Sequence, residues 1–502
     1  MDYDVIVVGG GPVGMMLASE LALADVKVCV LERLKETTPY SRALTLHPRT
    51  LEILDLRGLK QKILSKGKPI PTGHFAGLDS RLNFSALDSS SNYTLFIPQH
   101  DTEKVLEEWA KNLGVEIRRE EEVLSVRQDQ KGVEIVAAGP KGESKLSAAY
   151  VVGTDGARST VRKQVGIPFV GTSQTFTAML GDVVLLNPPE SNVVSRFSEH
   201  GLVMIVPVTS QMHRIVMIDR ERMAVPKEEP VTLEELRSGL IRILGSDFGI
   251  SEAYWLSRFG NATRQAERYR EGRIFLAGDA AHIHFPAGGQ GLNVGLQEAM
   301  NLGWKLAAKL KGRASDWLLD SYHAERFPIN TALLRNTEIQ TLLMSEFSPR
   351  MVALRGMLSE LLHIPKANQL IAAQISAFDV RYAPDMDSPQ HALNGSRLKE
   401  LKLRLENGIM RNAYELLYSG SFLLLHLASD ESLNDGAEWS NYPHLQFVRA
   451  SLVEEAPEWD EVHTALIRPD GYIAWVVSRS VPEYLDAIKQ GIRRWCGGYD
   501  FS

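Results

Sequence analysis

The first 32 residues constrain the fold more than any other stretch of this chain. Asp4 to Val8 reads as a short β-branched strand, and Gly9-Gly10-Gly11-Pro12-Val13-Gly14 follows it directly. A helical pattern then runs to about Ala24, and a second apolar strand, Val26 to Leu31, ends at Glu32. Gly9, Gly11 and Gly14 fit G-x-G-x-x-G, with glycines for a tight turn, for close approach to a pyrophosphate and for helix–strand packing. A lone G-x-G-x-x-G is weak evidence, but here strand, helix, strand and terminal acid fall in register. Glu32, with Arg33 beside it, is placed to bond the ribose of an adenosine. An acid at that point suits the unphosphorylated ribose of FAD or NAD better than NADP.

A second segment, Arg273 to Asn293 (RIFLAGDAAHIHFPAGGQGLN), carries the other half of the argument. It reads as an apolar strand (Ile274 to Ala277), a Gly278-Asp279 turn, a proline and glycine cluster, and a long helix from Leu292. Asp279 sits at a strand end, where its carboxylate can accept hydrogen bonds from a sugar or polyol hydroxyl. Gly288, Gly289 and Gly291 lack Cβ, so the backbone there can press on a flat ligand and aim N–H groups at its polar edge. An ordinary loop-to-helix junction explains a Gly-Asp pair, but not four glycines, Pro286 and a Gln-Gly-Leu-Asn run together. A third segment, Tyr150 to Arg162 (YVVGTDGARSTVR), puts Asp155-Gly156 after a strand with Arg158 and Arg162 beyond. Alone it reads equally well as a strand end with a solvated basic helix start.

In this order and at these separations the three segments resemble the group A FAD-dependent aromatic hydroxylases, the para-hydroxybenzoate hydroxylase fold. Smaller matches agree: Ser41-Arg42-Ala43 resembles the family's flavin-loop arginine, Leu46 to Glu52 its following helix start, and Gln99 its flavin-contacting glutamine. Leu319 to Arg326 (LDSYHAER) and Arg468 to Trp475 (RPDGYIAW) are similar to the longer members, such as aromatic polyketide hydroxylases and rifampicin monooxygenase. The resemblance implies an α/β fold, α+β overall: a Rossmann-like FAD domain, an inserted antiparallel-sheet substrate domain, and a C-terminal thioredoxin-like domain. The expected divisions are 1–172 (first part of the FAD domain), 173–267 (substrate domain), 268–390 (second part and a helical segment) and 391–502. Helices are expected from Leu318 to about Phe378, punctuated by Pro328, Pro349 and Pro365, with the last boundary near Pro384, Pro389 and Gly395.

The implied activity is insertion of one oxygen atom from O2 into a bulky aromatic or phenolic compound, polyketide- or antibiotic-like, through a flavin C4a-hydroperoxide. NADPH or NADH is the co-substrate. The FAD-binding residues are then Gly9, Gly11, Gly14, Glu32, Arg33, Arg42, Gln99, Asp155, Asp279, Gly289, Gly291, Leu292 and Asn293. Pro286, Gly288 and Gly289 form the flavin-face environment of catalysis, and no general base is assigned. The alternative is a non-catalytic or oxidase-type FAD protein that binds an aromatic intermediate. A halogenase is disfavoured because none of the eight tryptophans sits in a W-x-W-x-I-P signature.

Other features exclude more than they assign. A net charge of -7 with interspersed signs argues against a nucleic-acid partner, and no apolar run is long enough to span a bilayer. The N-terminus enters a strand at once, so a cytoplasmic protein, monomeric or homodimeric, is expected. Cys29 reads as core, and without C-x-x-C the thioredoxin-like domain is expected to be structural. His282 belongs to a Gly-Asp-x-x-His pattern and reads as structural, whereas His284 could reach the substrate side. Met204, Met212, Met217 and Met223 read as half-buried sheet residues rather than an adaptable pocket. Glu120 to Glu122 read as a solvated turn. Asp385 and Asp387 form an Asp-x-Asp pair with no closing ligand in register, so no metal is expected.

Overall fold

The computed structural model describes residues 1–190, 193–209, 211–384, 390–427, 442–481 and 484–497. Its centre is an eight-stranded sheet ordered Arg270–Glu271, Ile274–Leu276, Gly142–Gly153, Tyr3–Val8, Val28–Glu32, Glu116–Arg119. A hairpin of Glu122–Gln128 and Val133–Gly139 branches from the long Gly142–Gly153 strand. Tyr3–Val8 is the middle strand and pairs in parallel on both sides, Val8 opposite Leu31 and Gly153. It is buried nearly throughout, as a strand covered by helices on both faces must be. The Gly142–Gly153 strand changes character along its length. Its first half alternates between exposed and buried in the hairpin, while Tyr150 to Gly153 are all buried in the parallel sheet.

The first helix is Pro12–Leu23 and the second strand Val28–Glu32, each within two residues of the sequence-based expectation. The strand before the Gly-Asp turn is Ile274–Leu276, and the long helix after it is Gly291–Leu310. One expectation fails. Pro349 and Pro365 do begin helices, but Pro328 lies inside a continuous 30-residue helix, Asp316–Ser345. Tyr322, Arg326, Asn330, Leu333 and Leu334 are buried on both sides of the proline, so packing holds the helix through a residue that would end an isolated one.

A separate five-stranded antiparallel sheet is ordered Val194–Ser198, Gly201–Pro207, Met212–Asp219, Thr177–Leu185, Ile250–Gly260. The helix Leu233–Leu244, capped by Thr232 and closed by Gly245, covers one face. Met179, Val183, Val203, Ile205, Ile215 and Met217 pack beneath it. Because strand side chains alternate, Leu180, Asp182, Met204, Arg214 and Val216 occupy the other face. Met217 is therefore full core, Met204 and Met212 are half-buried sheet residues as expected, and Met223 is half-buried but lies in a turn after the sheet. Glu120 turns with a positive φ of 60°, with Glu120 and Glu122 exposed.

The C-terminal sheet runs Met410–Asn412, Lys402–Leu405, Leu445–Leu452, Phe422–His426, Val462–Ile467, Ile473–Ser478, with one parallel pair at its centre. The helix Tyr484–Cys496 packs Ile488, Ile492 and Trp495 against Trp475 and Val477. This unit is fastened to the first by buried charge. Arg468 grips Glu325 at 2.8 and 3.0 Å and Asp470 at 2.5 Å, and Lys305 reaches Glu325 at 2.7 Å. Arg49 donates to the Asp470 carbonyl, and Arg397 pairs with Glu52 at 2.8 Å. The LDSYHAER and RPDGYIAW segments thus meet in this seam. Cys29 and Cys496 are both buried and free. Asp385, Asp387 and Pro389 lie outside the described residues.

Candidate cofactor site

The site begins where Tyr3–Val8 ends. Gly9 has φ +108°, and a Cβ there would stand 2.5 Å from the Thr154 carbonyl oxygen. A Cβ at Gly14 would stand 2.0 Å from the Gly9 carbonyl oxygen. Both glycines are therefore demanded by the protein's own packing. Gly11 differs: a Cβ there meets nothing within 4 Å, which leaves room for a ligand to lie against the turn. The helix Pro12–Leu23 that follows has no side-chain cap, so its N–H groups remain for an anion.

Glu32 accepts from the backbone N–H of Gly10 at 2.7 Å and of Leu34 at 2.8 Å. It shapes the turn while retaining carboxylate lone pairs, and Arg33 beside it is exposed. From below, the Thr154 hydroxyl reaches the Val8 and Gly9 carbonyls at 3.0 and 2.9 Å. Asp155 uses one oxygen to cap the helix Thr160–Gln164, accepting from Thr160 at 2.7 Å and Val161 at 3.2 Å. Its other oxygen is buried without a partner among the described residues, and burial raises the carboxyl above its ordinary range.

The second half lies at the end of the neighbouring strand. Asp279 opens a single 3-10 turn, Gly278–Ala280, and is exposed with no hydrogen-bond partner among the described residues. Although exposed by area, it is surrounded by protein at longer range, which raises its carboxyl; the charges of His282 and Arg42 oppose that rise. Beneath it the fully buried Glu298 accepts from the Gly278 N–H at 2.7 Å, from His282 Nε2 at 2.8 Å and from Asn330 at 2.5 Å. His282 thus anchors the turn from behind.

Gly288 and Gly289 take φ of +71° and +63°, the left-handed region that glycine enters freely. Their carbonyls are clamped by His47 and Asn293. His47 Nε2 donates to the Gly288 carbonyl at 2.8 Å, and Asn293 donates to the Gly289 and Thr45 carbonyls at 2.9 and 3.1 Å. The His47 N–H returns to Asn293 Oδ1 at 2.7 Å. Burial pulls His47 down to about 4, so it stays a neutral imidazole with a fixed tautomer. His284 donates from Nδ1 to the Phe285 carbonyl at 2.6 Å, and burial lowers it to about 4 as well. Pro286 is exposed beside it, and the helix that begins at Gly291 and continues through Leu292 has no side-chain cap.

The third part is the loop around Arg42. Gln99 braces it, its side chain accepting from the Ala43 N–H at 3.0 Å and its backbone N–H donating to the Ala43 carbonyl at 3.0 Å. The five-stranded sheet clasps it from above. Arg214 makes a two-pronged bond with Asp182, 2.7 Å on each prong, and donates to the Arg42 carbonyl at 2.9 Å and to the Ser41 carbonyl. Tyr40 stacks on Trp255 with ring centroids 5.5 Å apart and 18° between planes. The Arg42 side chain itself is exposed and within electrostatic reach of Asp279.

The residues expected to act together therefore stand at the ends of four neighbouring parallel strands, Val28–Glu32, Tyr3–Val8, Gly142–Gly153 and Ile274–Leu276, and on one loop. An FAD fits this set: an open glycine for pyrophosphate, an acid at the adenosine end, a partnerless acid for the ribityl chain, and left-handed glycines before an uncapped helix for the ring edge. Sequence reasoning missed Asp182, Arg214 and Trp255, which belong to no motif and are ordinary strand positions. It also missed Glu298, Asn330 and the clamping role of His47. A charged residue alternating with apolar ones, as in HRIVMID, was the one available signal for Arg214.

Comparison with known proteins agrees with this geometry. Residues 2–337 match the FAD binding domain family, and residues 391–498 the aromatic-ring hydroxylase C-terminal family. The chain is 54% identical over 496 residues to an uncharacterized aromatic compound monooxygenase, YhjG, of Bacillus subtilis (strain 168), covering 99% of this chain and 98% of that one. It is 42% identical over 478 residues to a rifampicin monooxygenase of Streptomyces venezuelae, covering 94% and 95%. The solved structure of OxyS anhydrotetracycline hydroxylase from Streptomyces rimosus superposes with a TM-score of 0.91 at 40% identity, covering 99% of this chain and 100% of that one. The chain belongs to the FAD-dependent aromatic-ring hydroxylases, flavoprotein monooxygenases of aromatic compounds.

Proposed function

We propose that this protein hydroxylates a bulky aromatic or phenolic compound of polyketide or antibiotic type, using FAD, O2 and NADPH or NADH. The observation that carries the residue assignment is Asp279: a partnerless, exposed acid at a parallel strand end, flanked by left-handed glycines and facing Arg42. Gly9, Gly11, Gly14, Glu32 and Arg33 hold the adenosine and pyrophosphate, with Asp155 beside the turn. Asp279 takes the ribityl hydroxyls, and Arg42 and Gln99 hold the loop against the ring. Gly291, Leu292 and Asn293 present backbone N–H groups to the pyrimidine edge, and Gly289, whose own N–H turns back to the Pro286 carbonyl at 3.2 Å, shapes the approach beside them.

Bound FAD supplies the redox chemistry, taking hydride from the nicotinamide and activating oxygen. The chain's residues orient and exclude water. Pro286 and Gly288 wall one side of the ring, and the uncapped start of the Gly291–Leu310 helix directs partial positive charge to the edge where the reduced ring is negative. The sheet face opposite the Leu233–Leu244 helix, which carries Leu180, Met204 and Val216, would give the substrate an apolar roof and shelter it from solvent. No side chain is assigned as a base, since a phenolic oxygen supplies its own electron push.

The test is anaerobic reduction of the purified yellow protein by NADPH or NADH against phenols, hydroxyanthraquinones and rifamycins, followed by turnover under labelled O2. Faster flavin bleaching with one class, and one labelled oxygen in its product, is the expected outcome. Nicotinamide consumption that yields only hydrogen peroxide with every compound refutes the reading.

A further inference from the structure

Arg326, the last residue of LDSYHAER, is fully buried, yet only one of its three guanidinium nitrogens is used. Nη1 donates to the Tyr382 hydroxyl at 3.2 Å. Nε and Nη2 have no hydrogen-bond partner among the described residues. Those two atoms form the edge that elsewhere grips carboxylates or other anions side by side, so a preformed two-pronged donor lies sealed in the protein. Burying such donors unmatched is costly, and more so for charged groups than for neutral ones. Nearby Arg49 is also fully buried with its Nε unmatched. The two arginines converge on one aromatic pair: Arg49 lies over the Tyr472 ring at 4.8 Å, and Tyr472 packs on Tyr382 with centroids 4.3 Å apart.

Charge decides what the fork holds. Among the described residues, the connected buried network contains five cations, Arg49, Lys305, Arg326, Arg397 and Arg468, against four carboxylates, Glu52, Glu298, Glu325 and Asp470. Arg49 and Arg397 share Glu52, Arg468 and Lys305 face Glu325 and Asp470, and Arg326 lies within electrostatic reach of Glu298. One positive charge is left over, and a water molecule cannot balance it. We propose that the Nε and Nη2 edge of Arg326 binds a small monovalent inorganic anion, chloride in ordinary salt, at the seam between the flavin-binding unit and the C-terminal sheet. Its ligand is a structural ion.

The test uses the full-length protein purified and crystallised with bromide in place of chloride. An anomalous bromine peak within hydrogen-bond reach of Arg326 Nε and Nη2 is the expected result. Ordinary density there without anomalous signal, which would be water, overturns the proposal. In solution, the thermal midpoint of the wild-type protein should rise with bromide over gluconate at equal ionic strength, and Arg326→Gln should abolish that increment. If Arg326→Gln does not fold, Tyr382→Phe, which leaves the fork intact, should retain the halide response. A wild-type midpoint indifferent to halide refutes the site.

Discussion

The clasp between the five-stranded sheet and the Tyr40–Ala43 loop offers a direct measurement. Asp182 and Arg214 have side chains only 6% and 3% exposed, so their pair is a buried one. Removing Asp182 strands the guanidinium away from water. Breaking a buried pair from one side costs about 3–5 kcal/mol. Arg214 would keep the Ser41 and Arg42 carbonyls and the Trp255 ring, 5.5 Å from its carbon, so the lower end applies. Asp182→Ala should therefore destabilise the protein by about 3 kcal/mol, roughly two powers of ten in the folding equilibrium. Arg214→Ala removes the charge together with its bonds, and the double variant leaves neither partner stranded. Urea unfolding of all four proteins, saturated with FAD, gives the coupling energy, expected at about 2 kcal/mol or more. A coupling below about 0.5 kcal/mol would show that the clasp is geometric contact without energy.

Four other outcomes follow from the site. Asp279→Ala should weaken FAD binding by about 1.5–3 kcal/mol, read by flavin fluorescence on titration; unchanged affinity removes Asp279 from the ribityl contact. Gly11→Ala should leave the fold intact and impair FAD binding, while Gly14→Ala, whose Cβ would meet the Gly9 carbonyl at 2.0 Å, should lower thermal stability before any cofactor is added. Equal melting temperatures for these two variants would count against this division. Glu325 is held down to about 2 by Arg468 and Lys305, against the penalty of its burial. Its contribution is present above the unfolded value near 4.3 and is lost as pH falls through that value toward 2, so Glu325→Gln should flatten acid unfolding in that window. His47 works at higher pH: an unfolded chain takes up its proton near 6.5 and the native one resists to about 4, so stability falls with pH across that interval. His47→Asn should reduce that slope, measured as urea midpoints between pH 7 and 4.

Much of the fold was legible because its signals are local. The strand–glycine–helix–strand unit occupies 32 consecutive residues, and Gly9 answers to the adjoining strand and Gly14 to a carbonyl a few residues away. What could not be read depends on distance along the chain. Glu298 becomes the anchor of the Gly-Asp turn only because Asn330 and His282 converge on it from other elements. His47 clamps Gly288 across 241 positions. Arg214 looks like a stray charge in a strand until the sheet is folded over the loop at Arg42. Pro328 misled for the same reason: the helix around it is held by tertiary burial, which local propensity does not record.

The five-stranded sheet therefore answers to two masters. One set of positions on the face away from its helix, Asp182, Arg214 and Trp255, is committed to the loop that borders the cofactor site. Its neighbours Leu180, Met204 and Val216 share that face and make none of the clasp contacts. On the function proposed above, new substrate preferences would be engineered through the second set, with the first left as fixed grammar. A library that randomises the whole face should lose cofactor occupancy before it gains a new substrate, whereas one confined to the free positions should not.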